Sequence, residues 1–257
     1  MGTTLVARDD RAFHVDVQHA SLLKPFVWIG RGWLDMRRHW GASLGYGALI
    51  VAIGWTLLVF CATHPYFVAA AITGFLLVGP AVSAGLCEMS RRYSAGQSAN
   101  FDESLEGFKR NVQGLSEFGL ILAICAAIWF ALSAVLLDSV FHIPAPSVSE
   151  TLYRGFVDTA NRSQVISYVA VGGLLAAGVF AVSVVSIPLL IDRHATAGQA
   201  MRASVRVAIA NIPAMIVWSA LITLLTIIGY APLLAGLLII APLLGHATWH
   251  AYRDLVR

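Results

Sequence analysis

His246 and His250 stand four residues apart, a spacing that puts two imidazoles on one face of a helix. Such a pair could ligate a metal ion or take one axial position on a haem. No glutamate sits between them and no third ligand is evident. Trp249 and Tyr252 beside them suit an interfacial aromatic belt. Interfacial packing and hydrogen bonding is therefore the first reading of the pair. A proton or ion path and a metal site are the alternatives. Glu88 is the other group that could do chemistry, because an ionisable residue near a membrane span is costly and points to function. Its spacing from Arg91 also allows a plain i,i+3 ion pair. Glu117 and Asp192 lie, like Glu88, at the ends of apolar segments. The expectation is that Glu88, Glu117, Asp192, His246 and His250 converge as a polar cluster at one mouth of a helix bundle. No Gly-rich phosphate loop, nucleophile elbow, His-Glu-x-x-His or Cys-x-x-Cys motif occurs, so no catalytic residue and no cofactor is expected.

The elements that must hold these residues are membrane spans. Of 257 residues, 58% are hydrophobic and 12% charged, whereas soluble domains carry about 25% charged residues. From Val207 to Gly245 there is no Asp, Glu, Lys, Arg or His, a run long enough to cross the hydrocarbon twice. Residues 1–21 read as a polar tail and 22–257 as a membrane domain. Six spans can be drawn in the latter, at about 44–63, 65–87, 118–137, 165–191, 212–228 and 233–249. His64-Pro65 and Gly229-Tyr230-Ala231-Pro232 mark tight hairpins. Cys61, Cys87 and Cys125 fall in apolar segments without metal-ligand spacing and read as packing residues. The net charge of +3 is diluted along the chain, which argues against nucleic acid as a partner.

The cations set the orientation. Fifteen lie before the first span, after the second, after the fourth and in the tail; only Arg154 and Arg162 fall on the other side. The positive-inside rule then places both termini in the cytoplasm. Each outward-going span follows an amphipathic stretch: Leu22, Phe26, Ile29, Trp33, Met36 and Trp40; then Phe101, Leu105, Phe108, Val112 and Leu115; then Met201, Val205, Ala208 and Ile212. Three- and four-residue steps align these on helical stripes. Asn100 with Glu103 and Thr196 with Gln199 have the spacing of capping boxes. Pro80 and Pro242 each stand eleven residues before an arginine, Arg91 and Arg253. The fold expected is all-α: six transmembrane helices as three hairpins, each preceded by a cytoplasmic amphipathic interfacial helix.

Four strings carry a resemblance: Ser43-Leu44-Gly45-Tyr46-Gly47; Phe75 to Pro80 leading to Glu88-Met89-Ser90-Arg91-Arg92; Pro188-Leu189-Leu190-Ile191-Asp192-Arg193; and Pro242 to Leu255. Together they resemble the bacterial integral membrane family known as domain of unknown function 2189, from about Pro25 onward. The resemblance implies a six-span inner-membrane protein without an assigned activity. Some members carry a label of cytochrome c oxidase subunit I. A haem-copper site needs several histidines on spans, and six of the eight here fall in tails, loops or interfaces. The function expected is non-enzymatic: transporter-like, channel-like or membrane-organising. Two alternatives stay open, a redox or metal subunit using His246 and His250, and a scaffold recruiting a partner through its interfacial helices. The lipid bilayer is the expected partner, with a homo-oligomer or a membrane-protein partner left open.

Overall fold

The computed structural model describes residues 15–63, 83–141 and 162–257. The helices are α1 (Lys24–Arg38), α2 (Trp40–Thr63), α3 (helical over 83–94), α4 (Phe101–Ser104), α5 (Glu106–Arg110), α6 (Val112–Phe141), α7 (Arg162–Ser183), α8 (Ser186–Arg193), α9 (Ala197–Ala210), α10 (Ile212–Tyr230) and α11 (Leu237–Leu255). Among the described residues there is no strand, and an isolated bridge joins Val17 to Val256. Four stretches are long and apolar enough to cross a membrane: Trp40–Val59, Val112–Trp129, Ala170–Arg193 and Ile212–Tyr230. They coincide with the expected first, third, fourth and fifth spans. The expected second span, the His64-Pro65 hairpin, Pro80 and most of the 142–164 loop lie outside the described residues.

Sequence and structure differ most at α11. The expected sixth span, 233–249, begins instead with turns over 231–236, where Leu233 and Leu234 adopt left-handed backbone. Helix resumes at Leu237 and runs past the expected end to Leu255, carrying His246, His250, Arg253 and Asp254. Much of α11 is buried, and α1 and α2 pack on it. α1 crosses it at Gly32, where an added Cβ would lie 2.7 Å from the Ala247 nitrogen. Pro242 frees the carbonyl of Leu238 from its helical bond. That carbonyl lies against Gly47 of α2, where any side chain would collide.

The apolar stripes of the first and third amphipathic stretches lie mostly outside the core, with Met36 and Ala208 buried. In α1 the buried residues are Pro25, Trp28, Gly32, Asp35 and Met36, while Phe26, Trp33 and Leu34 stay exposed. In α9 the buried residues are Ala197, Ala200, Ala203, Ser204, Val207 and Ala208, with Ile209 exposed. Both helices leave large apolar residues outside and bring small ones inward, Gly32 in α1 and the alanines of α9, although α1 also buries Trp28 and Met36. This is how helices associate where the surroundings are themselves apolar. The second stretch breaks into α4 and α5 and then enters α6. Asn111 leaves helical geometry to donate from Nδ2 to the carbonyls of Leu190 (3.1 Å) and Ala195 (2.7 Å).

The expected fourth span is also broken. Pro188 has no N–H and its ring excludes the carbonyl four residues back, so α7 ends and α8 restarts across Val184–Val185. Ser204 of α9 repairs the gap: its hydroxyl donates to the Ala181 carbonyl (2.7 Å) and accepts from Val185 N–H (3.4 Å). Both expected capping residues are engaged. Glu103 accepts from Asn100 N–H at 2.8 Å, and Thr196 and Gln199 exchange bonds of 3.0 and 3.2 Å. The segment from Asp16 to Ala20 meets the C-terminal residues at one end of the bundle. Asp16 pairs with Arg257 and Gln18 N–H donates to the Leu255 carbonyl (2.9 Å). Asn211 fastens the same strap, accepting from Ala20 N–H (2.7 Å) and donating to the Gln18 carbonyl (3.1 Å).

Candidate functional site

Two polar clusters form at this end, one on each side of α3. The first surrounds His246, which is fully buried. Ser90 donates its hydroxyl proton to Asp35 Oδ2 (2.7 Å), so it receives its other bond from His246 Nδ1 (2.8 Å). The opposite ring nitrogen, Nε2, faces Ser43 Oγ at 3.0 Å. For a neutral imidazole protonated on Nδ1, the donation runs one way: Ser43 to His246 to Ser90 to Asp35. His250, one helical turn on from His246, places Nε2 2.8 Å from the same Asp35 oxygen. Four helices supply the members: α1 gives Asp35, α2 gives Ser43, α3 gives Ser90 and α11 gives both histidines.

Burial acts to raise the Asp35 carboxyl pKa. Hydrogen bonds from His250 and Ser90, with the two nearby imidazoles, outweigh it and hold the carboxyl below its ordinary 3.8. The Arg38 guanidinium lies 3.9 Å from Asp35 and 4.3 Å above the Tyr93 ring. His39 packs edge-on to Tyr93, and its Nε2 is buried with no hydrogen-bond partner among the described residues. Further along the contact between α1 and α11, Asp254 accepts from Lys24, Trp28 and Arg31, each at 3.1 Å. Burial works against its charge too, yet these donors hold its carboxyl below the usual range.

The second cluster surrounds Glu88, also fully buried. Arg91 grips it with two bonds, Nε to Oε2 at 2.7 Å and Nη2 to Oε1 at 2.8 Å. Arg92 Nε donates to Oε1 at 3.2 Å, and Arg110 Nε lies 2.8 Å from Oε2. Arg110 reaches this point because Gly107 lets α5 touch α3: a Cβ there would sit 2.8 Å from the Glu88 Cβ. The hydrogen bond to Glu88 holds the Arg91 guanidinium charged even more firmly than usual. Nearby, Tyr252 donates to Asp192 Oδ2 at 2.6 Å; its burial, then this bond, pushes the phenol pKa up.

The five expected site residues thus divide. His246 and His250 meet through Ser90 and Asp35. Glu88 belongs to the arginine cluster on the other side of α3, with Asp192 acting on Arg91 from α8. Glu117 accepts from Gln113 at 2.9 Å on an exposed face and joins neither. Asp35, Ser43 and Ser90 were not singled out by the sequence. The signal was there in part, since Ser43 and Ser90 lie in two of the quoted strings and the histidines in a third. Among the described residues no group of three or more His, Cys, Asp or Glu has a metal-binding arrangement.

Residues 67–192 match the family model described as predicted integral membrane protein (DUF2189). The string from Pro242 to Leu255, on which the resemblance leans most, lies beyond the matched stretch. No curated protein and no solved structure matches this chain.

Proposed function

We propose, from the premise that the chain belongs through residues 67–192 to the integral membrane family called domain of unknown function 2189, that it is a non-enzymatic, transporter-like protein of the bacterial inner membrane. Its six spans form three hairpins, each led by an interfacial helix, and both termini are cytoplasmic. The fifteen-to-two division of cations supports that orientation. The pairing of Asp16 with Arg257 at one end of the bundle fits an even number of spans but does not set their direction. The exposed Leu22, Leu23, Phe26 and Trp33 on and beside α1 suit an interfacial position.

The observation that carries the transport reading is the ordered chain from buried Ser43 through His246 and Ser90 to Asp35. Chains of ionisable side chains at the mouth of a span bundle can serve as proton pathways. His250 is the proton-exchanging partner at its outer end. A metal or haem role would require His246 to release the two serine hydroxyls facing its ring nitrogens.

The test is proton flux in liposomes that enclose a pH-sensitive dye. An acid jump should acidify the lumen with the wild-type protein, and Asp35→Asn and His246→Gln should each slow this more than tenfold. A wild-type protein without flux, or variants that keep their helicity and their flux, would refute the reading. A scaffold reading draws on the same exposed α1 face; co-purification of a stoichiometric membrane protein without flux would favour it.

A further inference from the structure

The arginine cluster at Glu88 holds more cation than its carboxylate can use. A carboxylate offers about four lone-pair positions. Arg91 takes two, with Nε and Nη2, and the Nε groups of Arg92 and Arg110 crowd onto the rest. Arg110 Nε is close but not aligned for a hydrogen bond. Both outer arginines thus meet Glu88 edge-first, and among the described residues their terminal Nη groups have no hydrogen-bond partner. Their side chains are 21% and 30% exposed, against 16% for Arg91 and 0% for Glu88. Glu103 and Glu106 act on Arg92, and Glu106 on Arg110, through space, but their hydrogen bonds go to Ser98 and Asn100 and to Lys109; Asp192 accepts from Tyr252. A buried carboxylate clamping three guanidinium groups, with two of them open at the rim, is a fixed fork for an external oxyanion. Arginine is the side chain suited to two-pronged recognition of phosphate.

We infer that Arg92 and Arg110, held by Glu88 between α3 and α5, form a binding site for a phosphate oxyanion, supplied by an anionic phospholipid headgroup or by free phosphate. The setting suits either source. The exposed Phe101 and Leu105 of the adjoining α4 and its following turn provide apolar flanks for a lipid. Basic pockets between helices near a membrane surface take anionic headgroups. This site stands independently of the histidine relay, because it shares no residue with it.

The experiment uses the whole purified protein in nanodiscs of phosphatidylcholine with or without phosphatidylglycerol. Arginines are labelled with phenylglyoxal and mapped by mass spectrometry. Phosphatidylglycerol should slow labelling of Arg92 and Arg110 at least fivefold, with Arg253 as the unprotected reference. Protection by millimolar inorganic phosphate in phosphatidylcholine alone would identify free phosphate as the source. Protection by the lipid that phosphate does not reproduce would identify the headgroup. In a second arm, Arg92→Gln/Arg110→Gln, which keeps the Arg91–Glu88 pair, should lose retained phosphatidylglycerol or phosphate in native mass spectra. Equal labelling under all three conditions overturns the inference, and because that arm uses the wild-type protein it stands even if the double variant does not fold.

Discussion

Glu88 and Ser90 are two residues apart on α3, so about 200° separates them around the helix. Each begins a polar network, and the two networks have opposite characters. The Ser90 side is closed: the two nitrogens of His246, the hydroxyls of Ser43 and Ser90 and one oxygen of Asp35 engage one another. The Glu88 side is open: three guanidinium groups share one carboxylate and two of them reach the rim. A closed network fixes which helices touch. An open one has cationic capacity to offer to something outside. The described part of α3 can host both because its two faces meet different neighbours, α1 and α11 on one side and α5 on the other.

The contrast can be broken most severely at Glu88. Glu88→Gln leaves three arginines facing a neutral amide and should cost about 3–5 kcal/mol, as when one partner of a buried ion pair is removed. Thermal unfolding in detergent should show it, and adding Arg92→Gln should return part of the loss. No recovery would mean that excess charge is not what the site must balance. Next comes the close crossing on the other side. Gly32→Val pushes a side chain into the Ala247 backbone and should cost about 1–3 kcal/mol. Gly30→Val, where nothing lies within 4 Å, isolates the packing effect and should cost less than about 1 kcal/mol.

Asp35→Asn should cost about 1–3 kcal/mol at neutral pH, because it weakens the bonds from Ser90 and His250. Its pH dependence has a definite sign. The folded carboxyl titrates below 3.8, so its contribution is complete above that value and fades as pH falls through the folded-state pKa. Wild-type melting temperature should therefore drop more steeply below about pH 4 than that of Asp35→Asn. Equal slopes would remove Asp35 from the account. The smallest effect belongs to apolar residues on the outside of α1. Trp33→Ala should change detergent stability by under about 1 kcal/mol, whereas buried Trp28→Ala in the same helix should cost about 3–5.

The apolar helices and their capping boxes were legible because they depend on local order: hydropathy, spacing, and Asn100–Glu103 and Thr196–Gln199 at fixed offsets. The stripes on α1 and α9 were legible from spacing, but which residues of each helix meet the rest of the protein was not, because periodicity does not encode the neighbour. Phe26 and Ile209 stay exposed, while Gly32 allows close backbone approach to Ala247. That Ser204, from a later helix, would satisfy the turn broken at Pro188 could not be read from the sequence.

The sequence alone determined that this is a membrane protein of several apolar helices with its cations gathered around a few connections, since composition and one-dimensional order suffice for that. It named His246, His250 and Glu88 as groups worth attention. The tertiary structure alone decided that the histidines meet Asp35 through Ser90 while Glu88 turns away to three arginines. Those partners come from segments distant in the chain, and no periodicity within one helix encodes which neighbour its other faces will meet.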